Sequence, residues 1–167
     1  MRILMLGNSF IFTNDLPRML ADRTGAEVVH HTRGGAELAE QLDPDSLLGA
    51  QTQAALQNET WDYVVLQEKS NGPIAAPERF FRSIRLLCQK VRQNGAVPLL
   101  YATWAYQKGG KRLAEEGLEY DEMARRLFEA YHQAALENHA LIADVVQQFY
   151  VLSRQENLYA DDGFHPN

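Results

Sequence analysis

The amino-acid sequence predicts an α/β protein: a three-layer α/β/α sandwich around a five-stranded parallel sheet in the flavodoxin-like arrangement. Short apolar runs rich in Val, Ile and Leu alternate with longer amphipathic segments, a pattern typical of a parallel sheet with helices on both faces. A length of 167 residues and a hydrophobic content of 46% fit one substantial core. We therefore expect a single domain over residues 1–167.

Five apolar runs have the length of strands buried on both faces. The predicted strands are Arg2 to Leu6, Glu27 to His31, Tyr63 to Gln67, Val97 to Ala102 and Leu141 to Asp144.

Proline and glycine mark the ends of two predicted helices. Pro17 suits the first turn of a helix that ends at Gly25, and Pro77 opens a second helix that ends before Gly95. We predict a third long helix from Tyr120 to Asn138 and a helical connection from Ala36 to Asn58. The segment from Trp104 to Leu118 is predicted to be a loop.

Composition limits the partners. The 16 basic and 22 acidic residues give a net charge of −6, which argues against nucleic acid as a partner. No apolar segment is long enough to span a bilayer, so we expect no membrane partner. The single cysteine, Cys88, excludes an internal disulfide and a cysteine-based zinc site. A reducing compartment is permitted, and we expect a cytoplasmic location; the oligomeric state is left open.

Polar residues and glycines follow or end the predicted strands at their carboxyl ends, where ligands of open parallel sheets bind. They are Ser9, Gly34, Gly35, Gln67, Thr103, Trp104, Asp162 and His165. We therefore expect one functional site at this edge of the sheet.

The order Ser, Asp, His along the chain suits acyl transfer. Ser9 is the predicted nucleophile, His165 the base that accepts its proton, and Asp162 the carboxylate that orients the imidazole. The alternative is that Ser9 is a small turn residue and Asp162-Gly163 a surface turn. The two motifs at opposite ends of the chain, both adjoining the predicted edge, favour catalysis.

An oxyanion requires fixed hydrogen-bond donors. The backbone N–H of Ser9 is one candidate, and a glycine N–H from Gly35 or Gly34 is another, because glycine allows close approach of the backbone. The side-chain donor is predicted to be Gln67 or Asn71. The glycine pair could equally form a tight turn, and Gln67 could merely end its strand.

These motifs resemble the blocks of the SGNH hydrolase superfamily, the GDSL-type lipases and esterases. Gly7-Asn8-Ser9-Phe10 resembles the first block, with Asn8 where many members have Asp, and Gly34-Gly35 resembles the second. Leu66-Gln67-Glu68-Lys69-Ser70 stands at the third block, usually Gly-x-Asn-Asp, and Asp162-x-x-His165 matches the fifth.

The resemblance implies a serine esterase that acts on small acyl esters, such as acetylated carbohydrates, through an acyl-enzyme, with no metal and no organic cofactor. Some carbohydrate acetyl esterases of the superfamily have a glutamine in the third block, which favours Gln67 over Asn71. Asn8, Thr103 and Trp104 are the predicted substrate contacts, although packing alone would also explain Trp104. Relatives typically continue into a closing helix after the fifth block, and we expect this domain to lack it.

Two other functions stay open at this point. One is a ligand-binding module that keeps the fold without an ordered base, because fold alone does not decide function. The other is a nucleotide-binding protein of Rossmann type, suggested by the first strand. The second is disfavoured because the later glycines of Gly-x-Gly-x-x-Gly are missing.

Overall fold

A computed structural model describes residues 1–167 and contains one sheet of five parallel strands. The strands are β1 (Arg2–Gly7), β2 (Glu27–Thr32), β3 (Tyr63–Leu66), β4 (Val97–Tyr101) and β5 (Leu141–Ala143). Their order in the sheet is β2-β1-β3-β4-β5, which is the flavodoxin-like order. The predicted fold class is confirmed, and every predicted strand is present to within one residue at its end.

Eight helices connect and cover the strands. They are α1 (Ser9–Phe12), α2 (Leu16–Thr24), α3 (Leu47–Asn58), α4 (Gly72–Ala75), α5 (Pro77–Asn94), α6 (Lys111–Glu115), α7 (Tyr120–Glu137) and α8 (Val145–Leu152). The three long predicted helices correspond to α2, α5 and α7. The prediction of a loop between Trp104 and Leu118 was wrong in part because α6 lies within it.

Helix α8 was not predicted. Asp144, which the sequence analysis placed at the end of the last strand, is instead the N-cap residue of α8. Its side chain accepts a hydrogen bond from the backbone N–H of Gln147 at 3.4 Å. Such a cap satisfies a backbone donor that the first helical turn leaves free.

The sheet buries both of its faces because strand side chains alternate between them. Toward α3, α5 and α7 the sheet presents Leu4, Leu6, Val64, Leu66 and Leu100. Toward α1 and α2 it presents Ile3, Met5 and Val65. Helices therefore cover both faces. Cys88 of α5 is fully buried in the core between the sheet and α3, α5 and α7. Burial raises the pKa of its thiol to about 11, which is typical of an unreactive structural thiol.

The strand order reverses at β1, whose neighbours are β2 and β3. In open α/β sheets, ligands bind outside the carboxyl ends of the strands at such a switch point. The segments that leave β1 and β3 therefore frame the expected site. None of the helices has both the length and the apolar character that crossing a membrane requires.

Candidate active site

Ser9, His165 and Asp162 form a continuous hydrogen-bonded chain, although 156 positions separate the serine from the histidine. His165 Nε2 lies 2.8 Å from Ser9 Oγ, and His165 Nδ1 lies 2.6 Å from Asp162 Oδ2. An ionised carboxylate can only accept, so Nδ1–H donates to Asp162 and Nε2 is left to accept from the Ser9 hydroxyl. This is the tautomer in which the imidazole can take the proton of Ser9.

Asp162 is held as a carboxylate by several donors. Its Oδ1 accepts from the backbone N–H groups of Phe164, at 3.1 Å, and His165, at 3.0 Å. Partial burial by itself would raise the pKa of Asp162, but the hydrogen bonds from the His165 side chain and from these two N–H groups outweigh it and lower the pKa. The carboxylate therefore stays charged where the imidazole requires it.

Hydrogen bonds to other segments of the chain anchor the segment that carries Asp162 and His165. Asn14 Nδ2 donates to the carbonyl of Pro166 at 2.9 Å, and the N–H of Asn167 donates to the carbonyl of Leu158 at 3.1 Å. These bonds fix the backbone directly after His165.

Stacked aromatic rings support the imidazole. Trp104 lies between Phe10, at a ring centroid distance of 4.5 Å, and Phe149, at 4.3 Å. Its indole N–H donates to the carbonyl of Phe164 at 2.9 Å, and the Phe164 ring lies 4.1 Å from the ring of His165. Trp104 is only 1% exposed, so the expectation that it contacts substrate was wrong, and it supports the His165 segment from behind.

Thr103 is also absent from the cleft surface. Its side chain is fully buried, donates to the carbonyl of Ser70 at 3.3 Å and lies 3.3 Å from the hydroxyl of Tyr131. The predicted substrate contact at Thr103 was therefore wrong. The side chain ties the end of β4 to the segment after β3.

Gln67 is fully buried, and both ends of its amide are occupied by backbone groups. Its Oε1 accepts from the N–H of Asn8 at 3.0 Å, and its Nε2 donates to the carbonyl of Glu68. A Cβ at Gly7 would lie 2.4 Å from this Oε1, so the glycine allows the close approach. Gln67 thus positions the turn that presents Ser9 and does not reach the cleft, contrary to its expected role as an oxyanion donor.

Asn71, unlike Gln67, lies at the cleft. It lines the same cleft as Ser9 and Gly35, and its Nδ2 donates one hydrogen bond to Glu116 Oε1 at 2.8 Å. A side-chain amide nitrogen carries two N–H groups, so one remains for a ligand. Asn71 was the alternative donor in the sequence analysis.

Two residues that line the cleft have a backbone N–H with no acceptor in the protein. Neither the N–H of Ser9 nor that of Gly35 donates to a backbone or side-chain atom. Gly35 has a φ of +69°, a conformation that glycine adopts without strain, and it lines the cleft whereas Gly34 does not. These two N–H groups and the second N–H of Asn71 Nδ2 are therefore the donors of the cleft lining that are candidates for binding a ligand.

Asn8 connects two of these segments. Its Oδ1 accepts from the N–H of Phe10 at 3.2 Å, and its Nδ2 donates to the carbonyl of Ala36 at 3.0 Å. The side chain therefore links the turn of Ser9 to the loop of Gly35. Asn8 borders the cleft and is 3% exposed, and the substrate contact that we expected of it stays a prediction.

Glu68 links the segment that follows β3 to the segment that follows β2. Its carboxylate is 3% exposed and accepts from the N–H of Lys69 at 2.7 Å and from the N–H of Leu38 at 3.3 Å. Burial raises its pKa to about 7, although these N–H groups act in the opposite direction. The sequence analysis gave Glu68 no role.

The cleft above Ser9 has a volume of about 330 Å³. Its lining also includes four polar residues of long side chain that were not among the predicted site residues: Lys69, Tyr106, Arg112 and Glu116. The Tyr106 hydroxyl lies 2.7 Å from Ser70 Oγ, which fixes one wall. Three of the four lie in the segment that was predicted as a loop, which gave no signal of their convergence.

The arrangement can be compared with known proteins. No protein-family model and no curated protein matches this sequence. Among solved structures, a protein from Slackia heliotrinireducens assigned to the SGNH hydrolases shares 49% sequence identity and a TM-score of 0.96. The match covers 100% of this chain and 90% of the other. The chain belongs to the SGNH hydrolase family.

More distant structures share the fold of this SGNH hydrolase. An acetyl xylan esterase matches at a TM-score of 0.68 and 14% identity, over 100% of this chain and 92% of the other. An acetyl-xylooligosaccharide esterase from Geobacillus Stearmophilus matches at the same TM-score and identity, over 99% of this chain and 86% of the other. The prediction of an SGNH-type hydrolase from the sequence blocks is confirmed.

Proposed function

We propose that this SGNH hydrolase is a serine esterase in which Ser9 is the nucleophile, His165 the general base and Asp162 the orienting carboxylate. The observation that carries the proposal is the 2.8 Å contact between His165 Nε2 and Ser9 Oγ. A serine hydroxyl is a weak nucleophile until an adjacent base accepts its proton. A module that only binds ligands would not require this contact, which disfavours that alternative.

In the proposed reaction, Ser9 Oγ attacks the ester carbonyl while its proton passes to His165 Nε2. The C–O bond to the alcohol then breaks, and His165 returns the proton to the leaving oxygen. Water attacks the acyl-enzyme with His165 again as base, which releases the acid and restores Ser9. Asp162, whose pKa is lowered by its hydrogen bonds, stabilises the imidazolium that forms in each half-reaction.

The negative oxygen of each tetrahedral intermediate requires donors that are already in place. We assign these donors to the N–H groups of Ser9 and Gly35 and to Asn71 Nδ2. All three residues line the cleft. Gln67 and Asn8 hold the backbone that presents them, so both are positioning residues.

The proposed substrates are small acyl esters, acetylated carbohydrates among them. A cleft of about 330 Å³ lined mainly by polar residues lies at the small end of ligand sites and suits a short acyl chain better than a long one. Two structures of the same fold are esterases that act on acetylated xylan or xylooligosaccharide. This is consistent with an acetyl ester on a polar alcohol.

The test is hydrolysis of an aryl acetate by the purified protein and by Ser9→Ala. Loss of a nucleophile that acts together with its base can lower turnover on the order of a millionfold, so the variant should be at background. Ser83→Ala is the matched control, since Ser83 is a buried serine of α5 outside the site. A folded Ser9→Ala protein that keeps most of its turnover would overturn the proposal.

A further inference from the structure

Arg112 lies in the wall of the cleft next to the proposed base. Its guanidinium carbon is 3.9 Å from the centroid of the Phe164 ring, and that ring lies 4.1 Å from the ring of His165. A guanidinium on an aromatic face keeps its orientation, while the N–H groups at its edge stay available for a planar acceptor. The stacking orients the side chain, and its N–H groups have no acceptor in the protein.

Arg112 is also the one charged residue lining the cleft whose side chain has no partner in the protein. Lys69 Nζ lies 3.7 Å from Glu37 Oε1, and the Glu116 carboxylate accepts from Asn71. The side chain of Arg112 forms neither an ion pair nor a hydrogen bond. A fixed, unpaired guanidinium in a cleft matches a carboxylate, which it can bind through two parallel hydrogen bonds.

The negative net charge of the chain is a reason to connect a cation in the cleft with the charge of the substrate. At −6, the field of the whole protein disfavours anionic ligands. A substrate that carries a carboxylate therefore requires an attractive group inside the cleft. Arg112 supplies that group in the wall of the cleft.

The position of Arg112 indicates which part of the ester would carry the carboxylate. In the proposed mechanism His165 returns a proton to the leaving alcohol, so the alcohol portion lies on the His165 side of the cleft. Arg112 stacks on Phe164, the residue directly before His165. The oxyanion donors belong to the segments that follow β1, β2 and β3.

We infer that Arg112 is a substrate-binding residue that recognises a carboxylate on the alcohol portion of the ester, such as an acetylated hydroxy acid or sugar acid. This inference rests on the proposed esterase function. It narrows the substrate class from acetyl esters in general to acetyl esters of acidic alcohols.

The test compares kcat/KM for meta-acetoxybenzoate with that for the neutral meta-acetoxybenzamide. The unmodified protein should prefer the benzoate. Arg112→Gln should lower kcat/KM for the benzoate by roughly tenfold to a hundredfold, mainly through KM, because a hydrogen bond to a charged group is lost. Its kcat/KM for the benzamide should fall far less, so the ratio of the two kcat/KM values is the readout, and circular dichroism reports that the variant is folded.

Lys111→Gln is the matched control. It removes the same charge from the neighbouring position of α6, where the side chain is 90% exposed and lies 3.7 Å from Glu115. This variant should keep the preference for the benzoate. Equal loss of the preference in both variants would indicate a general effect of charge and would overturn the assignment to Arg112.

A second substrate pair places the carboxylate on the acyl side: a monoaryl adipate and the matching aryl hexanoate. If Arg112→Gln selectively weakens hydrolysis of the adipate while the benzoate is unaffected, the placement on the alcohol side is wrong. If Arg112→Gln changes neither the ratio of benzoate to benzamide hydrolysis nor the ratio of adipate to hexanoate hydrolysis, Arg112 does not bind a carboxylate, although the esterase function stands. If the Ser9→Ala variant still hydrolyses the acetyl ester of meta-acetoxybenzamide, the proposed serine esterase function is itself refuted.

Discussion

Replacing Glu68 by glutamine should remove a large part of the pH dependence of folding stability. Glu68 is almost fully buried, and burial is the main reason that its pKa rises to about 7. The N–H groups of Lys69 and Leu38 and the charge of Arg79 lower the pKa, whereas Glu37 raises it, and burial outweighs them. The side chain is therefore protonated in the native protein over a range where it is ionised in the unfolded chain.

The sign and size of this stability change follow from the pKa of Glu68 in the unfolded chain and in the native protein. The ordinary value is 4.5 and the native value is about 7, so the native state holds the proton more tightly than the unfolded state does. The resulting stabilisation is complete below the unfolded pKa and is lost as the pH rises through the native pKa. At about 1.4 kcal/mol for each pKa unit, the loss amounts to roughly 3 kcal/mol. Glu68→Gln imitates the protonated form and cannot ionise.

Urea denaturation of both proteins between about pH 5 and about pH 8 measures this contribution. The free energy of unfolding of the unmodified protein should fall relative to that of Glu68→Gln as the pH rises. His31, whose pKa is lowered by burial, affects stability in the opposite sense, but it does so in both proteins and cancels in the difference. Parallel pH profiles would refute the assignment of the raised pKa to Glu68.

Four further substitutions separate catalysis from folding. Asn71→Ala should lower turnover by about a hundredfold to a thousandfold, the usual cost of losing one oxyanion donor, and should leave the melting temperature unchanged. Gln67→Ala, by contrast, should lower the melting temperature. The reverse pattern would restore Gln67 as the donor. Gly7→Ala should lower the free energy of unfolding by about 1–3 kcal/mol in urea denaturation, because its Cβ would lie 2.4 Å from Gln67 Oε1 and 2.7 Å from Ile11 Cδ1; an unchanged value would show that the turn adapts. Asp162→Asn should lower kcat on the order of ten-thousandfold in the aryl acetate assay, as loss of the orienting carboxylate does in serine proteases, and a loss below tenfold would contradict its role.

The sheet and the long helices could be predicted because their signals are local. Each strand is a short apolar run, and Pro17 and Gly25 stand at the two ends of α2 as the composition of helix ends requires. The convergence of Ser9, Asp162 and His165 also followed from a general rule, since all three lie beyond the carboxyl ends of parallel strands.

The location of Trp104 could not be predicted because it depends on a helix that the sequence analysis did not assign. Phe149 of α8 stacks on one face of the indole, and Phe10 covers the other. Without α8, Trp104 looks like an aromatic residue free to contact a ligand. Its partners are 45 residues downstream and 94 residues upstream, and no local pattern joins them.

The choice between Gln67 and Asn71 failed for a similar reason. Both residues follow the apolar run of β3, and the position along the chain does not say where an amide points. Gly7, on the neighbouring strand, leaves the space into which the Gln67 side chain folds, and the N–H of Asn8 then binds it. Asn71, four residues later, extends into the cleft.

The most direct test of the account is covalent trapping of the nucleophile. The protein is treated with a fluorophosphonate, and the labelled residue is identified by mass spectrometry of the intact protein and of its peptides. We expect a single label on Ser9, no label in Ser9→Ala and strongly slowed labelling in His165→Ala, because the base activates the hydroxyl. Labelling of another serine, or undiminished labelling of Ser9→Ala, would contradict the assignment of Ser9 as the nucleophile.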